Sequence, residues 1–294
     1  MNVQAKAEAA GGVVAGADAA LAELEAVLEG AERVTLHGDD EHQWTASDVW
    51  AHLGRWLDVG AQMVERYLAG ERDIHDWDGG AEEFNLGWIE EDRALDVAEA
   101  RSRAFEAWGR LREQLLGVEA GDWNGFLAWH ASSGREHVLE HLRYVVEASG
   151  VTPPAEAVER LDRDREAWAD FVGLLDARPG VPLHDPESPT WTSLEVFGHF
   201  ARWTEHEVAT FEAERDGRER PVIDEPDDVV NERWAAEDRS TDLDEVRSRA
   251  LRAFAERARL IRSTPADRWT DNMRASVAAE GYDHIAEHRR YIGG

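Results

Sequence analysis

Apolar residues recur along this chain at helical spacing almost from end to end. Val49, Leu53, Trp56 and Gly60 fall on one such stripe, with polar and charged positions between them. No alternating apolar–polar run of strand length interrupts the pattern, so the chain reads as all-α. The period predicts helices near 14–30, 46–69, 82–117 and 130–148 in the first half. It predicts four more near 154–177, 193–216, 227–263 and 274–292 in the second. The third element of each half should break, near Leu95 and near Thr241. Thr45 with Asp48, and Thr192 with Glu195, have the spacing of capping boxes at helix starts. Asp96 with Glu99 and Asp242 with Glu245 repeat that spacing after the two breaks.

The two halves resemble each other residue by residue. Trp44, Thr45, Val49, His52, Arg55 and Trp56 recur 147 positions later as Trp191, Thr192, Val196, His199, Arg202 and Trp203. His137, Glu140, His141, Arg143 and Tyr144 recur as His284, Glu287, His288, Arg290 and Tyr291. Gly150, Pro153 and Pro154 punctuate the boundary, which predicts domains over 1–150 and 151–294. Segments 70–81 and 217–227 are rich in Gly, Asp and Pro and long enough to carry the chain across a bundle. The expected architecture is therefore two tandem four-helix bundles, each with at least one crossover connection. Such a fusion replaces a homodimer, and the copies are expected to pair about a pseudo-two-fold axis within the chain.

Composition narrows the chemistry. The formal net charge is −30, from 62 acidic and 32 basic residues. A field of that sign repels nucleic acid and anionic membranes, so neither is an expected partner. With no cysteine, the chain offers no disulfide, thiolate ligand or thiol nucleophile. No apolar run reaches bilayer length, and the N-terminal residues make a poor signal peptide, so the expected location is cytoplasmic. The 13 tryptophans include four matched pairs: Trp44/Trp191, Trp56/Trp203, Trp88/Trp234 and Trp123/Trp269. The Trp56 pair reads as core packing. The Trp44 and Trp123 pairs sit near helix ends, where they are placed to line a pocket mouth.

Histidine carries the strongest chemical signal. His137 and His141 stand four apart on one helical face, as do His284 and His288. Two imidazoles so placed can share a metal ion. His52 and His199 lie on the inward stripe of the second helix of each half. Each can supply a third nitrogen inside a bundle, giving two candidate metal sites: His52, His137 and His141, and His199, His284 and His288. Three neutral nitrogens suit a divalent transition metal, zinc foremost, with nickel, copper or iron as alternatives, and leave positions open for water or substrate. The His137-x-x-Glu140-His141 spacing, repeated with Glu287, is also that of inverted zinc peptidases. Those enzymes need a mixed sheet-and-helix scaffold that this pattern does not predict. Asn85 and Asn231, each three residues before a matched tryptophan, and Tyr144 and Tyr291 are candidate pocket contacts. The matched Glu91-Asp92-Arg93 and Glu237-Asp238-Arg239 strings read as surface salt bridges.

The string Trp44-Thr45-x-x-Asp48-Val49-x-x-His52-Leu53-x-x-Trp56, followed by His137-x-x-x-His141, resembles the DinB-like superfamily. That superfamily includes the YfiT-like proteins and the mycothiol-dependent maleylpyruvate isomerases. The resemblance covers nearly the whole chain as two tandem copies. It implies metal-binding four-helix bundles whose ligands fall on the two histidine triads. It also implies an enzyme that uses a low-molecular-weight thiol, such as mycothiol or bacillithiol, or water against a small electrophilic substrate. The isomerase branch has glutamate where this chain has His137 and His284, which argues against that particular activity. The Trp56 and Asn85 region also resembles the ClbS-like branch, which implies a self-protection protein that binds a small molecule without turnover. A structural scaffold with relic histidines is the remaining alternative.

Overall fold

The computed structural model describes residues 3–29, 35–38, 43–74, 81–119, 121–183 and 190–292. The chain forms two compact units, Met1–Ala20 with Val27–Ser149, and Leu21–Ala26 with Gly150–Gly294. Both are helical. Among the described residues the only strands are a two-residue antiparallel pair, β1 (His37–Gly38) and β2 (Gln43–Trp44). Among the described residues no helix is long and apolar enough to cross a membrane.

The first unit contains α1 (Val3–Leu28) apart from its Leu21–Ala26 stretch, α2 (Ala46–Leu68), α3 (Ala81–Asp92), α4 (Val97–Leu116) and α5 (Gly125–Ala148). Helix α1 starts at Val3 rather than near residue 14. Its many alanines favour helix strongly enough to carry Gly11 and Gly12, and Ala10, Val14, Ala15 and Ala17 are buried. The α2 N-terminus has the anticipated capping box: Thr45 N–H donates to Asp48 Oδ2 at 2.7 Å, and Asp48 N–H reaches Thr45 Oγ1. Helix α2 packs along α4 and also meets α3 and α5. Trp50, Leu53, Leu57, Trp108, Leu111 and Leu127 are buried there.

The second unit contains α6 (Ala155–Asp176), α7 (Ser193–Arg215), α8 (Asp227–Asp238), α9 (Leu243–Ser263), α10 (Asp271–Ala279) and α11 (Tyr282–Ile292). Helix α7 packs along α9 and meets α8 and α10, while α6 meets α9 and α11. Trp168 stacks on Phe254 with centroids 5.3 Å apart and packs against Phe171 and Phe200. Breaks fall between α3 and α4 and between α8 and α9, as the sequence predicts near Leu95 and Thr241. Asp96 caps α4 by accepting from Glu99 N–H, and Asp242 caps α9 by accepting from Asp244 N–H. The 217–227 segment lies between α7 and α8, whereas residues 75–80 of the first expected crossing segment lie outside the described residues.

Two expectations are corrected here. The last helix of the second unit is not continuous over 274–292; it breaks at Glu280–Gly281. Asp164, buried on α6, accepts from Tyr282 N–H at 2.8 Å and so caps α11. A Cβ on Gly281 would lie 2.6 Å from the Asp164 carboxylate, so only glycine fits. The matched position in α5, Gly134, runs on as helix. Second, Asp92 and Asp238 are not surface charges: they are 7% and 4% exposed. Arg55 donates twice to Asp92, at 2.8 and 2.9 Å, and Arg202 donates twice to Asp238, at 3.1 and 2.7 Å. Each pair ties the histidine-bearing helix to the helix after it. Buried carboxylates of this kind persist only when a fixed guanidinium meets both oxygens.

Candidate metal centre

In each unit the three predicted imidazoles meet. Helix α2 supplies His52 and α5 supplies His137 and His141. His52 Nε2 lies 2.9 Å from His137 Nε2, and His141 Nε2 lies 3.2 Å from it. In the second unit α7 supplies His199 and α11 supplies His284 and His288. There His199 Nε2 lies 3.0 Å from His284 Nε2, and the His288 ring centroid is 4.8 Å from that of His199. Within each triad one ligand atom per residue lies within 4.8 Å of the others. Each triad could hold a metal ion.

The chemistry of the donor set fits a cation. Nitrogens each about 2.0–2.1 Å from one ion stand about 2.8–3.4 Å apart at coordination angles between square and tetrahedral. The short Nε2 separations fall in that range. Without a cation, one proton at most can lie between any two facing nitrogens, so a cluster of three cannot satisfy all its lone pairs internally. Burial also favours the ligating, uncharged form of one imidazole in each triad. It pushes His137 below the ordinary imidazole range, with Glu140 partly offsetting this. His199 is pushed well below that range by burial, reinforced by His288 and His284 and partly opposed by Asn231.

Tryptophans surround both triads. Trp44 stacks on His141 at 5.6 Å and meets His52 edge-on at 4.9 Å. It is held there by β2 and by Leu36 N–H, which donates to the Trp44 carbonyl at 2.8 Å. The second unit repeats this tether: Leu183 N–H donates to the Trp191 carbonyl at 2.7 Å, and Trp191 lies 5.4 Å from His199. Trp56 and Trp203 stand 6.4 and 6.5 Å from His52 and His199. Both are half-buried beside the triads rather than sealed in the core. Their Nε1–H groups donate to Asn85 Oδ1 at 2.9 Å and Asn231 Oδ1 at 2.8 Å. The matched asparagines therefore fix the tryptophans. Trp269, by contrast, does not line the site: it is buried against Phe211, Ile261 and Met273.

The surroundings of the two triads differ. Next to His137 lies an apolar cavity of about 120 Å³ between α2, α4 and α5. Next to His284 and His288 lies a wider cavity of about 450 Å³ whose wall includes Asp227, Glu280, Asp283 and Glu287. Asn231 and Tyr291 are in that wall. Asn85 and Tyr144 are not in the wall of the first cavity; the Tyr144 hydroxyl donates to Glu140 Oε1 at 3.0 Å. Glu280, which the sequence reading passed over, places a carboxylate oxygen 2.8 Å from His284 Nδ1. A carboxylate there accepts, so Nδ1 carries the proton and Nε2 keeps its lone pair for the triad. The spacing of Glu280 and His284, one helical turn, was the available signal, but Ser133 occupies the matched position of the first half.

The chain matches no family model, no curated protein and no solved structure.

Proposed function

We propose that this protein is a metal-dependent enzyme of DinB-like type, built from two four-helix bundles that arose by duplication. Its substrate would be a small electrophile, and the attacking group a low-molecular-weight thiol, such as mycothiol, or water. The observation that carries the reading is the convergence of three imidazole nitrogens at matched positions in both units.

His52, His137 and His141 would hold one divalent metal, and His199, His284 and His288 a second, with zinc the best fit to three neutral nitrogens. A bound metal of this kind supplies a Lewis acid that makes a coordinated water or thiol a stronger acid. The remaining groups prepare the site. Burial keeps His137 and His199 unprotonated. Trp44 and Trp191, and the Asn-held Trp56 and Trp203, give each triad an aromatic surround against which a substrate can pack. Glu280 orients His284.

The test is metal analysis of purified protein together with thiol-transfer and hydrolysis assays on a panel of electrophiles. Two equivalents of metal per chain, and turnover lost in the His52→Ala, His199→Ala double variant, support the reading. Unchanged turnover in that variant would overturn it. Tight binding of a small molecule by metal-free protein with no product would favour the sequestering alternative.

A further inference from the structure

We propose that the apolar cavity beside His137 selects the substrate of the first unit, and that it takes a neutral hydrocarbon group of single-ring size. This deepens the enzymatic reading and rests on the first triad being a reaction centre.

The cavity wall is formed mainly by Leu53, Leu57, Met63, Leu111, Trp56 and Trp129, with His130, Ser133 and His137 as its polar members. Its volume is about 120 Å³. A carbon-lined protein cavity of about 150 Å³ stays dry and takes up benzene, so a five- or six-atom ring is the right scale here. No carboxylate or guanidinium is among the lining side chains. A charged group entering it would lose its hydration and meet no carboxylate or guanidinium of opposite sign. Because His137 belongs both to this wall and to the triad, a ring seated in the cavity brings its substituent to the histidine nitrogens.

The sequence shows why the space is open in this unit. Gly60 lies on α2 facing Leu111 and His130: a Cβ there would be 3.4 Å from Leu111 Cδ2 and 3.8 Å from His130 Nδ1. At the repeat offset of 147, Gly60 corresponds to Glu207 and His130 to Val277. On α9 the offset is 146, as Trp88/Trp234 and Arg103/Arg249 fix it, so Leu111 corresponds to Arg257. In the second unit those same three positions are joined. Arg257 Nε donates to both Glu207 oxygens at 3.0 Å, and its Nη2 donates to the Val277 carbonyl at 2.8 Å. Positions that line or adjoin the first unit's cavity are thus bridged by an ion pair in the second, so the glycine, leucine and histidine found there are particular to the first unit's sequence.

The experiment is a ¹⁹F NMR titration of the full chain with fluorobenzene, run metal-free and zinc-loaded. One equivalent should bind with a submillimolar Kd in both forms. Gly60→Leu, whose side chain fills the void, should weaken binding about tenfold or more with helix content by circular dichroism unchanged. Met63→Ala, which enlarges the void, should shift preference from fluorobenzene to fluoronaphthalene; if Gly60→Leu does not fold, this variant alone decides. Absence of binding to the parent protein, or binding indifferent to the substitutions, would overturn the proposal. Because the metal-free form is tested, loss of metal uptake or turnover counts only against the enzymatic reading. Failure to bind in a protein that takes up zinc counts only against the subsite.

Discussion

Glu280 holds a carboxylate oxygen 2.8 Å from His284 Nδ1, across the break between α10 and α11. The matched pair in the first half is Ser133 and His137. The second triad thus has an outer carboxylate that fixes a ring tautomer, at a position where the first has a hydroxyl residue. Outer partners of this sort typically change metal affinity by about 10–100-fold. Glu280→Gln should therefore weaken zinc binding at one of two sites by about that factor and leave the other unchanged. Competition titration with a chelating dye, resolving two classes of site, measures this.

Glu207 should make stability fall as pH rises through neutrality. Burial pushes its carboxyl up to about 7 even though Arg257 lies against it. Burial is the main cause; the Glu280 and Asp164 carboxylates add to it, and Arg257, shared with Asp164 at 3.0 Å, offsets only part. The folded state then holds a proton that the unfolded chain releases near pH 4.5. This contribution is complete below the unfolded value and is lost between about 4.5 and 7. At most it is about 3 kcal/mol. Glu207→Gln keeps the shape and removes the titration. Melting temperatures of parent and variant across pH 4.5–8 should diverge in slope, and parallel curves would count against this account.

Arg257→Met should destabilise the chain by about 3–5 kcal/mol at pH 7, since it strands Asp164 as a buried carboxylate without its cation. Urea unfolding of parent and variant at pH 7 reads the loss.

The matched glycines should respond differently to one methyl group. Gly281→Ala drives a Cβ into the Asp164 carboxylate, at a predicted separation of 2.6 Å. It should cost about 1–3 kcal/mol and displace α11 with His284 and His288. Gly134→Ala meets Leu57 Cδ2 at 3.4 Å inside a continuous helix. Helix propensity there gains about 0.5–1 kcal/mol, so the net effect should be near neutral. Thermal melts with metal counts per chain distinguish the two.

The histidine triads were legible because the sequence states them twice: His52, His137 and His141 could be separated from other histidines by recurrence alone. Helical spacing also located most elements, and Thr45 and Thr192 marked the start of two of them. What escaped was chemistry present in one half only. Glu280, Gly60, Arg257 and Asp164 have dissimilar residues at the matched positions, so recurrence filtered them out. Burial of charge escaped for a different reason. Asp92 and Asp238 look like surface acids until Arg55 and Arg202 are seen to reach them from a neighbouring helix, a tertiary fact that composition does not carry. The break in the last helix was hidden likewise, because Gly281 is matched by Gly134 and only Asp164 tells the two apart.

The Glu207–Arg257 plug also constrains how this chain can change. The two partners are not equivalent in this respect. Loss of Glu207 alone leaves Arg257 paired with Asp164, whereas loss of Arg257 strands the Asp164 carboxylate in the interior. Any stepwise exchange of this plug for an open interior therefore has a fixed order, with the acid replaced first and the guanidinium kept for as long as Asp164 stays.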